Sequence, residues 1–360
     1  MRLLFAESSI RGYGTEQHIA ALATAMARRG HDVRCLVIAG SPVAALLHEA
    51  CVPTMPISPG RSRGLRIAAA LLRLAITQRP DWMISNDPRF YRMLLAVRRL
   101  TGARVAIFRH WHDAPARRRS RDLLSRRTDR FILVSQFHRR DYQRQGMSVE
   151  RASVLYNPID TGRFRASAAA RASARDRLGF GDSDVVVGYV GRMIEAKGIF
   201  TLLDAAGRFL AADAAARMLW VGDGEDAEAL RARITRSPDG SRHHFLGWQA
   251  DMAALYPALD ILAVPSLYPE PFGRVSVEAQ AAAVPIASSL AGGLPETFVN
   301  GSTGIGVAPG DAAGLGDAIL ALARDPERRR RMGAAGREWA CARFSLERIA
   351  EDFERLLASG

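Results

Sequence analysis

Lysine is nearly absent from this 360-residue chain. Lys and Arg together number 50, and the printed sequence contains a single lysine, Lys197, which leaves 50 − 1 = 49 arginines. A compact ammonium and a planar guanidinium bind anions in different geometries. The exception therefore indicates a place where arginine does not substitute for lysine.

Cysteines and long apolar runs are also scarce. The three cysteines, Cys35, Cys51 and Cys341, form no CxxC pair. This argues against a structural zinc site and predicts a reduced, cytoplasmic protein. No run of 18 apolar residues occurs, so we expect no membrane-spanning helix. The N-terminal "MRLLFAE" predicts a first strand and not a signal peptide, because one basic residue precedes only a short apolar run.

The net charge of +13 is concentrated in one stretch. Residues 61–150 contain 21 Arg and 7 Asp or Glu, which gives 21 − 7 = +14 and leaves the rest near neutral. The densest part is "PARRRSRDLLSRR", 115–127, with Phe90, Tyr91 and Trp111 nearby. Three interpretations are open: an anionic membrane surface, nucleic acid, or a solvated face in an arginine-rich sequence. We favour the membrane surface and expect no nucleic-acid partner.

Short apolar runs alternate with helical patterns along the whole chain. Runs such as "RLLFAE", "DVRCLVIA" and "VVVGYVG" lack strict alternation of polar and apolar residues, which is typical of buried parallel strands. The pattern lapses near 164–184 into Ala, Ser and Arg. An α/β fold with two doubly wound, Rossmann-like domains facing across a cleft follows from this order. The expected boundaries are 1–165 for the first domain, 166–182 for a linker, 183–342 for the second domain and 343–360 for a final helix.

Lys197 lies where a strand meets a helix. "VVVGYVGR" ends the strand and "KGIFTLLDAAGRFLAA" begins the helix, so Lys197 and the first-turn amides are expected at the ligand-binding end of the sheet. A helix N-terminus attracts anions. Arg192 adds a forked donor at the strand end. An arginine, an ammonium and a helix N-terminus together suit a diphosphate.

Two glutamates in "YPEPFGRVSVEAQAAAVP" form a second candidate constellation. Glu270 and Glu278 are separated by seven residues, with a helical pattern from about Arg274. A loop carboxylate and a helix carboxylate so placed can each bind a pair of vicinal hydroxyls. The amides of Phe272 and Gly273 open the helix and offer further donors.

These motifs, together with "VGDGE", "FLGW", "AGGLPE" and "NGSTGIGVAPGD", resemble the retaining glycosyltransferases of family 4. The similarity extends over nearly the whole chain, through "GYGTEQHIAALATAMARRGHDV", "VSQFHRR" and "VLYNPIDTGRF". It implies a GT-B fold, an acceptor-binding first domain and a nucleotide-sugar-binding second domain. It also implies that the final helix, 343–360, crosses back to the first domain. Its apolar positions follow helical spacing: Leu346, Ile349, Phe353, Leu356 and Leu357.

The resemblance assigns roles to particular residues. Arg192 and Lys197 would hold the donor diphosphate, Glu278 the ribose hydroxyls, and Glu270 the transferred sugar. Gly14 would let the first loop approach the phosphates, although this chain has "GYG" where many relatives have adjacent glycines. The residues expected to take part in catalysis are Glu270, His110, Lys197 and Arg192, with His112 as a rival to His110. The expected donor-binding set is Gly14, Arg192, Lys197, Phe245, Leu246, Glu270, Phe272, Gly273, Arg274, Val275 and Glu278.

The implied reaction is transfer of a sugar, with retention, from a UDP- or GDP-linked donor to a glycan or lipid-linked acceptor. No suitable DxD motif occurs, so a metal-independent enzyme without cofactors is expected, bound peripherally to the inner face of the cytoplasmic membrane. Three other classes are weighed. A nicotinamide-dependent enzyme is disfavoured because Gln17 replaces the third glycine of G-x-G-x-x-G. A GT-B epimerase or phosphorylase and a non-enzymatic basic binding module remain as alternatives. The sugar, the base, the acceptor and the oligomeric state stay open.

Overall fold

The computed structural model describes residues 1–9, 14–58, 63–115, 118–165 and 167–359. They form two compact units. Unit 1 comprises Met1–Pro158 with Leu346–Gly360, and unit 2 comprises Ile159–Ser345. Each unit is a parallel sheet with helices, so the predicted α/β fold of two Rossmann-like domains is confirmed.

Unit 1 contains a seven-stranded parallel sheet in the order β3-β2-β1-β4-β5-β6-β7. Its strands are β1 (Arg2–Ala6), β2 (Asp32–Ile38), β3 (Thr54–Ile57), β4 (Trp82–Ser85), β5 (Arg104–Arg109), β6 (Arg130–Leu133) and β7 (Ala152–Val154). Its first six helices are α1 (Gly14–Arg28), α2 (Pro42–Glu49), α3 (Arg63–Gln78), α4 (Tyr91–Thr101), α5 (Arg118–Arg127) and α6 (Gln136–Arg144). Buried Val, Ile, Leu and Phe side chains on both faces of this sheet form the core.

Unit 2 contains a six-stranded parallel sheet in the order β10-β9-β8-β11-β12-β13. Its strands are β8 (Val185–Val190), β9 (Ala216–Val221), β10 (His243–Gly247), β11 (Ile261–Val264), β12 (Ile286–Ser289) and β13 (Gly304–Val307). Its helices are α7 (Ala168–Leu178), α8 (Ile199–Ala212), α9 (Ala227–Thr235), α10 (Arg274–Ala281), α11 (Ala312–Ala323) and α12 (Pro326–Phe344).

Each sheet reverses its strand order at one point. β1 pairs with both β2 and β4 in unit 1, and β8 pairs with both β9 and β11 in unit 2. The connections on either side of such a switch point run to opposite faces, which opens a crevice at the carboxyl ends of the two central strands. The loops after β8 and β11 are the ones that carry Lys197 and Glu270.

The last helix, α13 (Leu346–Ala358), belongs to the core of unit 1, as predicted. Four of its five predicted apolar side chains are buried, and Leu356 is partly buried. The Phe353 ring packs against Phe5 and Phe108, with centroid distances of 6.5 and 5.6 Å. On the polar side, Glu354 pairs with Arg29 and lies 3.0 Å from His31 Nε2.

The segment expected as a linker, 166–182, is mainly helix α7 and belongs to unit 2. Although the composition of this segment is polar, one of its charged residues, Arg175, is buried and only 2% exposed. Arg175 donates to Asp260 Oδ2 at 2.8 Å and to the Asp184 carbonyl at 2.7 Å. The same carboxylate accepts the Val186 amide at 2.8 Å. Because Asp260 compensates the buried charge, α7 is fixed at the amino-terminal ends of the central strands β8 and β11.

Candidate active site

Lys197 ends a short 3-10 turn, Glu195–Lys197, between β8 and α8. The sequence placed it at the start of the helix, but α8 begins two residues later. Gly198 forms the join with φ +74°, and a Cβ there would lie 2.0 Å from the Pro265 carbonyl oxygen. Only glycine permits this approach. The Lys197 turn is therefore pressed against the strand that leads to Glu270.

Lys197, Glu270 and Ser266 form a connected cluster. The Lys197 ammonium contacts Glu270 Oε1, and the Ser266 hydroxyl donates to the same oxygen at 2.9 Å. The side chains of Lys197 and Glu270 are 27% and 15% exposed. Lys197 Nζ also lies 5.7 Å from the centre of the Tyr268 ring. The cluster joins the loops after β8 and β11. Two backbone hydrogen bonds also join these loops, because the amides of Leu267 and Tyr268 both donate to the Ala196 carbonyl.

The "AGG" loop after β12 holds the Glu270 backbone. The Gly293 amide donates to the Glu270 carbonyl at 2.7 Å. Gly292 has φ +64°, and a Cβ there would lie 2.5 Å from both the amide nitrogen and the carbonyl oxygen of Glu270. Close backbone packing from a third loop thus fixes the position of the carboxylate.

Glu278 lies on α10 and is 7% exposed. Arg274 Nε donates to its Oε1 at 2.7 Å, and the Tyr256 hydroxyl donates to its Oε2 at 3.0 Å. Burial beside this carboxylate raises the pKa of Tyr256 well above its ordinary value, so the phenol keeps its proton. Both oxygens are therefore held in one orientation with acceptor capacity remaining.

Arg192 is exposed and lies just after β8. Its carbonyl accepts the Tyr189 hydroxyl at 2.8 Å, and burial raises the pKa of that tyrosine. The loop is braced by the "VGDGE" segment, since the Met193 amide donates to the Asp223 carbonyl at 2.8 Å. Arg192 is thus an exposed residue on a loop that backbone hydrogen bonds hold in place.

The other residues of unit 2 that were predicted to bind the nucleotide-sugar donor differ in which of their groups a ligand can reach. Phe272 is buried with its ring against Phe344, so only its backbone can serve a ligand. Gly273 is the N-cap of α10, and Val275 is half-buried in its first turn.

On β10, Phe245 is half-buried and stacks on Trp220, with the Arg231 guanidinium carbon 4.2 Å from the centre of the Phe245 ring. Leu246 lies beside it on the same strand, and its carbonyl accepts from Gln249.

The histidines of unit 1 occupy different surroundings. His110 follows β5 and packs edge-on against His18, with ring centres 4.8 Å apart. His112 lies near Asp141, with Nδ1 3.4 Å from Oδ2, and stacks on Phe137. The buried His18 lies on α1 and was not predicted from sequence, although it stands four residues after Gly14. Gly14 itself begins α1, whereas the rest of the "GYG" loop lies outside the described residues.

A buried polar group at the carboxyl edge of the first sheet also escaped the sequence analysis. Asp87, just after β4, accepts a hydrogen bond from the Ser8 hydroxyl. Arg89 Nε donates to its two carboxylate oxygens at 2.9 and 3.1 Å. The signal was the polar "ND" directly after the strand "WMIS", at the carboxyl edge where ligands bind.

The basic stretch 61–150 covers α3 to α6 and the loops between them. Some of its arginines are paired, such as Arg98 with Asp129 at 2.7 Å. Others, including Arg73, Arg92 and Arg99, are exposed. The same two helices, α3 and α4, also carry the apolar side chains of Ile76 and Leu100, which are 57% and 74% exposed. Residues 116 and 117 of the Arg-rich segment lie outside the described residues. Within the described ranges, no helix has the length and apolar character to cross a bilayer.

Two doubly wound parallel sheets, with a cation–carboxylate cluster at the switch point of the second, are typical of the GT-B fold. Comparison with family models agrees. Residues 170–339 match the model described as glycosyl transferases group 1, and residues 13–163 match glycosyltransferase family 4. The chain belongs to this family of glycosyltransferases.

Individual relatives agree with the family assignment. A GDP-mannose-dependent monoacylated alpha-(1-6)-phosphatidylinositol monomannoside mannosyltransferase from Corynebacterium glutamicum is 32% identical over 258 residues, 69% of this chain and 67% of that one. The lipopolysaccharide core glycosyltransferase LpsE of Rhizobium meliloti is 33% identical over 180 residues, 49% of this chain and 51% of that one. The structure of Anabaena HepE with UDP-glucose superposes with a TM-score of 0.86 at 25% identity, over 100% of both chains. The protein is thus a glycosyltransferase that uses a nucleotide sugar.

Proposed function

We propose that this enzyme transfers a sugar, with retention of configuration, from a UDP- or GDP-linked donor to a hydroxyl of a lipid-linked or glycan acceptor in cell-envelope polysaccharide or lipopolysaccharide synthesis. The observation that carries the proposal is the Lys197–Glu270–Ser266 cluster at the switch point of unit 2. It places a cation for phosphate beside a carboxylate for sugar hydroxyls. The names of the two curated relatives support a cell-envelope acceptor.

The contacts of the cluster support the proposed donor-binding roles. Both contacts to Glu270 fall on Oε1, so Oε2 retains acceptor capacity for sugar hydroxyls; within the described residues no hydrogen bond reaches it. Lys197 has three N–H donors, of which one direction is taken by Glu270. The others, with Arg192, serve the diphosphate. Glu278, fixed by Arg274 and Tyr256, binds the ribose hydroxyls.

We propose that the reaction needs no metal, because fixed cations take the place that a metal would have. Charge develops on the leaving diphosphate as the glycosidic bond breaks. Preorganised donors aimed at that charge lower the barrier without reorganising solvent. Lys197, Arg192 and the first-turn amides of α8 are such donors. The leaving phosphate then takes the proton of the incoming hydroxyl on the same face of the sugar, and His110 contacts the sugar or acceptor.

A transfer assay tests this function. The protein is incubated with UDP- and GDP-linked hexoses, with and without a phosphatidylinositol acceptor, and nucleotide release and new glycoside are followed together. We expect nucleotide release coupled to an axial glycosidic bond from an axial donor. Isomerisation of the donor sugar without acceptor would instead indicate an epimerase. Sugar phosphate formed only with added orthophosphate would indicate a phosphorylase.

We further propose that the basic face of unit 1 binds anionic lipid, which would place the enzyme on the inner face of the cytoplasmic membrane. The exposed arginines and the apolar Ile76 and Leu100 on α3 and α4 support this. Such a surface gains from charge attraction and from shallow apolar insertion.

Vesicle sedimentation tests the membrane proposal. We expect binding to vesicles of phosphatidylglycerol and phosphatidylcholine that weakens as salt is raised, because the charge attraction is screened. Leu100→Asp should weaken it several-fold, roughly as expected for a lost apolar contact and an added like charge. The matched variant Leu46→Asp changes an exposed leucine of α2, outside the basic stretch, and should bind normally. Equal binding to neutral vesicles would contradict the proposal.

A further inference from the structure

A small cavity in unit 1 combines two arginines with apolar walls. Its volume is about 200 Å³. Arg92 and Arg109 provide the charge, and the apolar walls come from Pro88, Pro115, Leu123 and Leu124. None of its lining residues belongs to the expected donor-binding set.

The cavity lies at the carboxyl edge of the first sheet. Pro88 follows β4, Arg92 is in the first turn of α4, and Arg109 ends β5. It therefore meets the N-terminus of an 11-residue helix, whose end carries partial positive charge. Three independent sources of positive potential converge on one space.

The guanidinium groups of Arg92 and Arg109 have no carboxylate partner among the described residues. Arg109 donates to two neutral groups, the Tyr142 hydroxyl at 2.8 Å and the Asp113 carbonyl at 2.9 Å. Arg92 is exposed, and within the described part of the chain no carboxylate forms an ion pair with either residue. In contrast, the nearby Arg89 pairs with Asp87 at 2.9 Å. Among the described residues, acids pair with some arginines of this region but with neither of these two.

A ligand of this cavity must complement both the two guanidinium groups and the apolar side chains. Guanidinium groups bind phosphate oxygens in a forked geometry. Leucine and proline side chains favour hydrocarbon, since covering them removes apolar surface from water. The ligand chemistry that fits is a phosphate ester attached to an apolar group.

We propose that this cavity binds the phosphate of the acceptor, with the apolar part of that acceptor against Leu123 and Leu124. The inference rests on the proposed function, since it requires a phospholipid-type acceptor, and it specifies which residues of unit 1 recognise it. The basic face of α3 and α4 binds the anionic membrane surface, whereas this cavity binds the phosphate of a single acceptor molecule.

The test is titration calorimetry with three soluble probes. These are dihexanoyl phosphatidylglycerol below its critical micelle concentration, glycerol 3-phosphate, and dihexanoyl phosphatidylcholine. The wild-type enzyme should bind the phosphatidylglycerol most tightly. Arg92→Gln should weaken that binding about tenfold, as expected for loss of a charge-assisted hydrogen bond. Arg99→Gln removes the same charge from the same helix, outside the cavity, and should bind as wild type.

One further variant and one control separate the components. Leu123→Asn should weaken binding of the lipid but leave glycerol 3-phosphate unchanged. Equal losses in Arg92→Gln and Arg99→Gln would overturn the inference, because the cavity would then add nothing to general charge. Glycerol 3-phosphate binding as tightly as the lipid would overturn the apolar part. Nucleotide binding should be unchanged in Arg92→Gln, so an active donor site with no lipid binding would refute this inference alone.

Discussion

Lys197→Ala should lower turnover about a hundredfold, the loss seen when one preorganised donor to developing charge is removed. The ammonium contacts Glu270 and lies beside the α8 N-terminus, so its removal deprives the leaving diphosphate of a cation and the carboxylate of its partner. Lys197→Arg should lose at least about tenfold, a barrier increase of about 1.4 kcal/mol. A larger, planar guanidinium does not reproduce the position of a compact ammonium that contacts Glu270 and lies over the Tyr268 ring.

Steady-state kinetics on purified variants measure this effect. Arg208→Ala is the matched control, because it removes a cation from α8 that pairs with Asp317 on the surface. Melting temperatures must stay close to wild type for the comparison to report on catalysis. A Lys197→Arg enzyme with full turnover would show that the single lysine has no special role.

Phe353→Ala should destabilise unit 1 by about 3–5 kcal/mol, the cost of removing a large aromatic side chain from a packed core. Phe353 is fully buried and packs on Phe5 of β1 and Phe108 of β5, the two strands that precede the ligand-binding loops. Such a loss is a large part of the total stability of a typical domain. Removal of 346–360 takes four large buried side chains and should leave unit 1 unable to fold.

Chemical denaturation followed by tryptophan fluorescence measures this loss. Arg355→Ala lies on the same helix with its side chain 65% exposed, so it should change stability by less than about 0.5 kcal/mol. If Phe353→Ala and Arg355→Ala unfold at the same denaturant concentration, α13 does not stabilise unit 1 as described.

Much of the fold could be predicted from sequence because its strands are buried on both faces. "VVVGYVG" and "RMLWVG" are short apolar runs with turn residues after them, and they form β8 and β9. β13 escaped because its sequence, "GIGV", contains two glycines, which weaken any strand signal. Gly304 is nevertheless required there, since a Cβ would lie 2.4 Å from the Ile286 side chain.

The helix α7 escaped for a different reason. Its sequence is rich in Ala, Ser and Arg and has little amphipathic character, so nothing local predicts that it packs on a sheet. The stabilising contact is the buried pair of Arg175 with Asp260, which are separated by 85 residues. Sequence patterns report local periodicity and cannot reveal a long-range ion pair.

The candidate site, like the fold, could be predicted only in part from sequence. Lys197, Glu270 and Glu278 could be proposed from sequence because they lie in loops and helix starts at strand ends, where the spacing carries information, and the structure brings Lys197 and Glu270 into contact. Tyr256, which fixes Glu278, and Ser266, which contacts Glu270, could not be identified. Their roles depend on side-chain directions that only tertiary packing sets. His18 beside His110 is a similar case, because two distant segments meet at the carboxyl edge of one sheet.

Calorimetric titration of UDP and GDP into the wild-type enzyme, Lys197→Ala and Glu270→Gln tests most directly that unit 2 binds the donor as described. The wild-type enzyme should bind at least one of the two nucleotides. Lys197→Ala should bind it about tenfold more weakly, because a charge-assisted contact to phosphate is lost. Glu270→Gln should bind it within about twofold of wild type, because that carboxylate contacts sugar and not phosphate. Equal nucleotide affinity in the wild-type and Lys197→Ala enzymes would contradict the donor site.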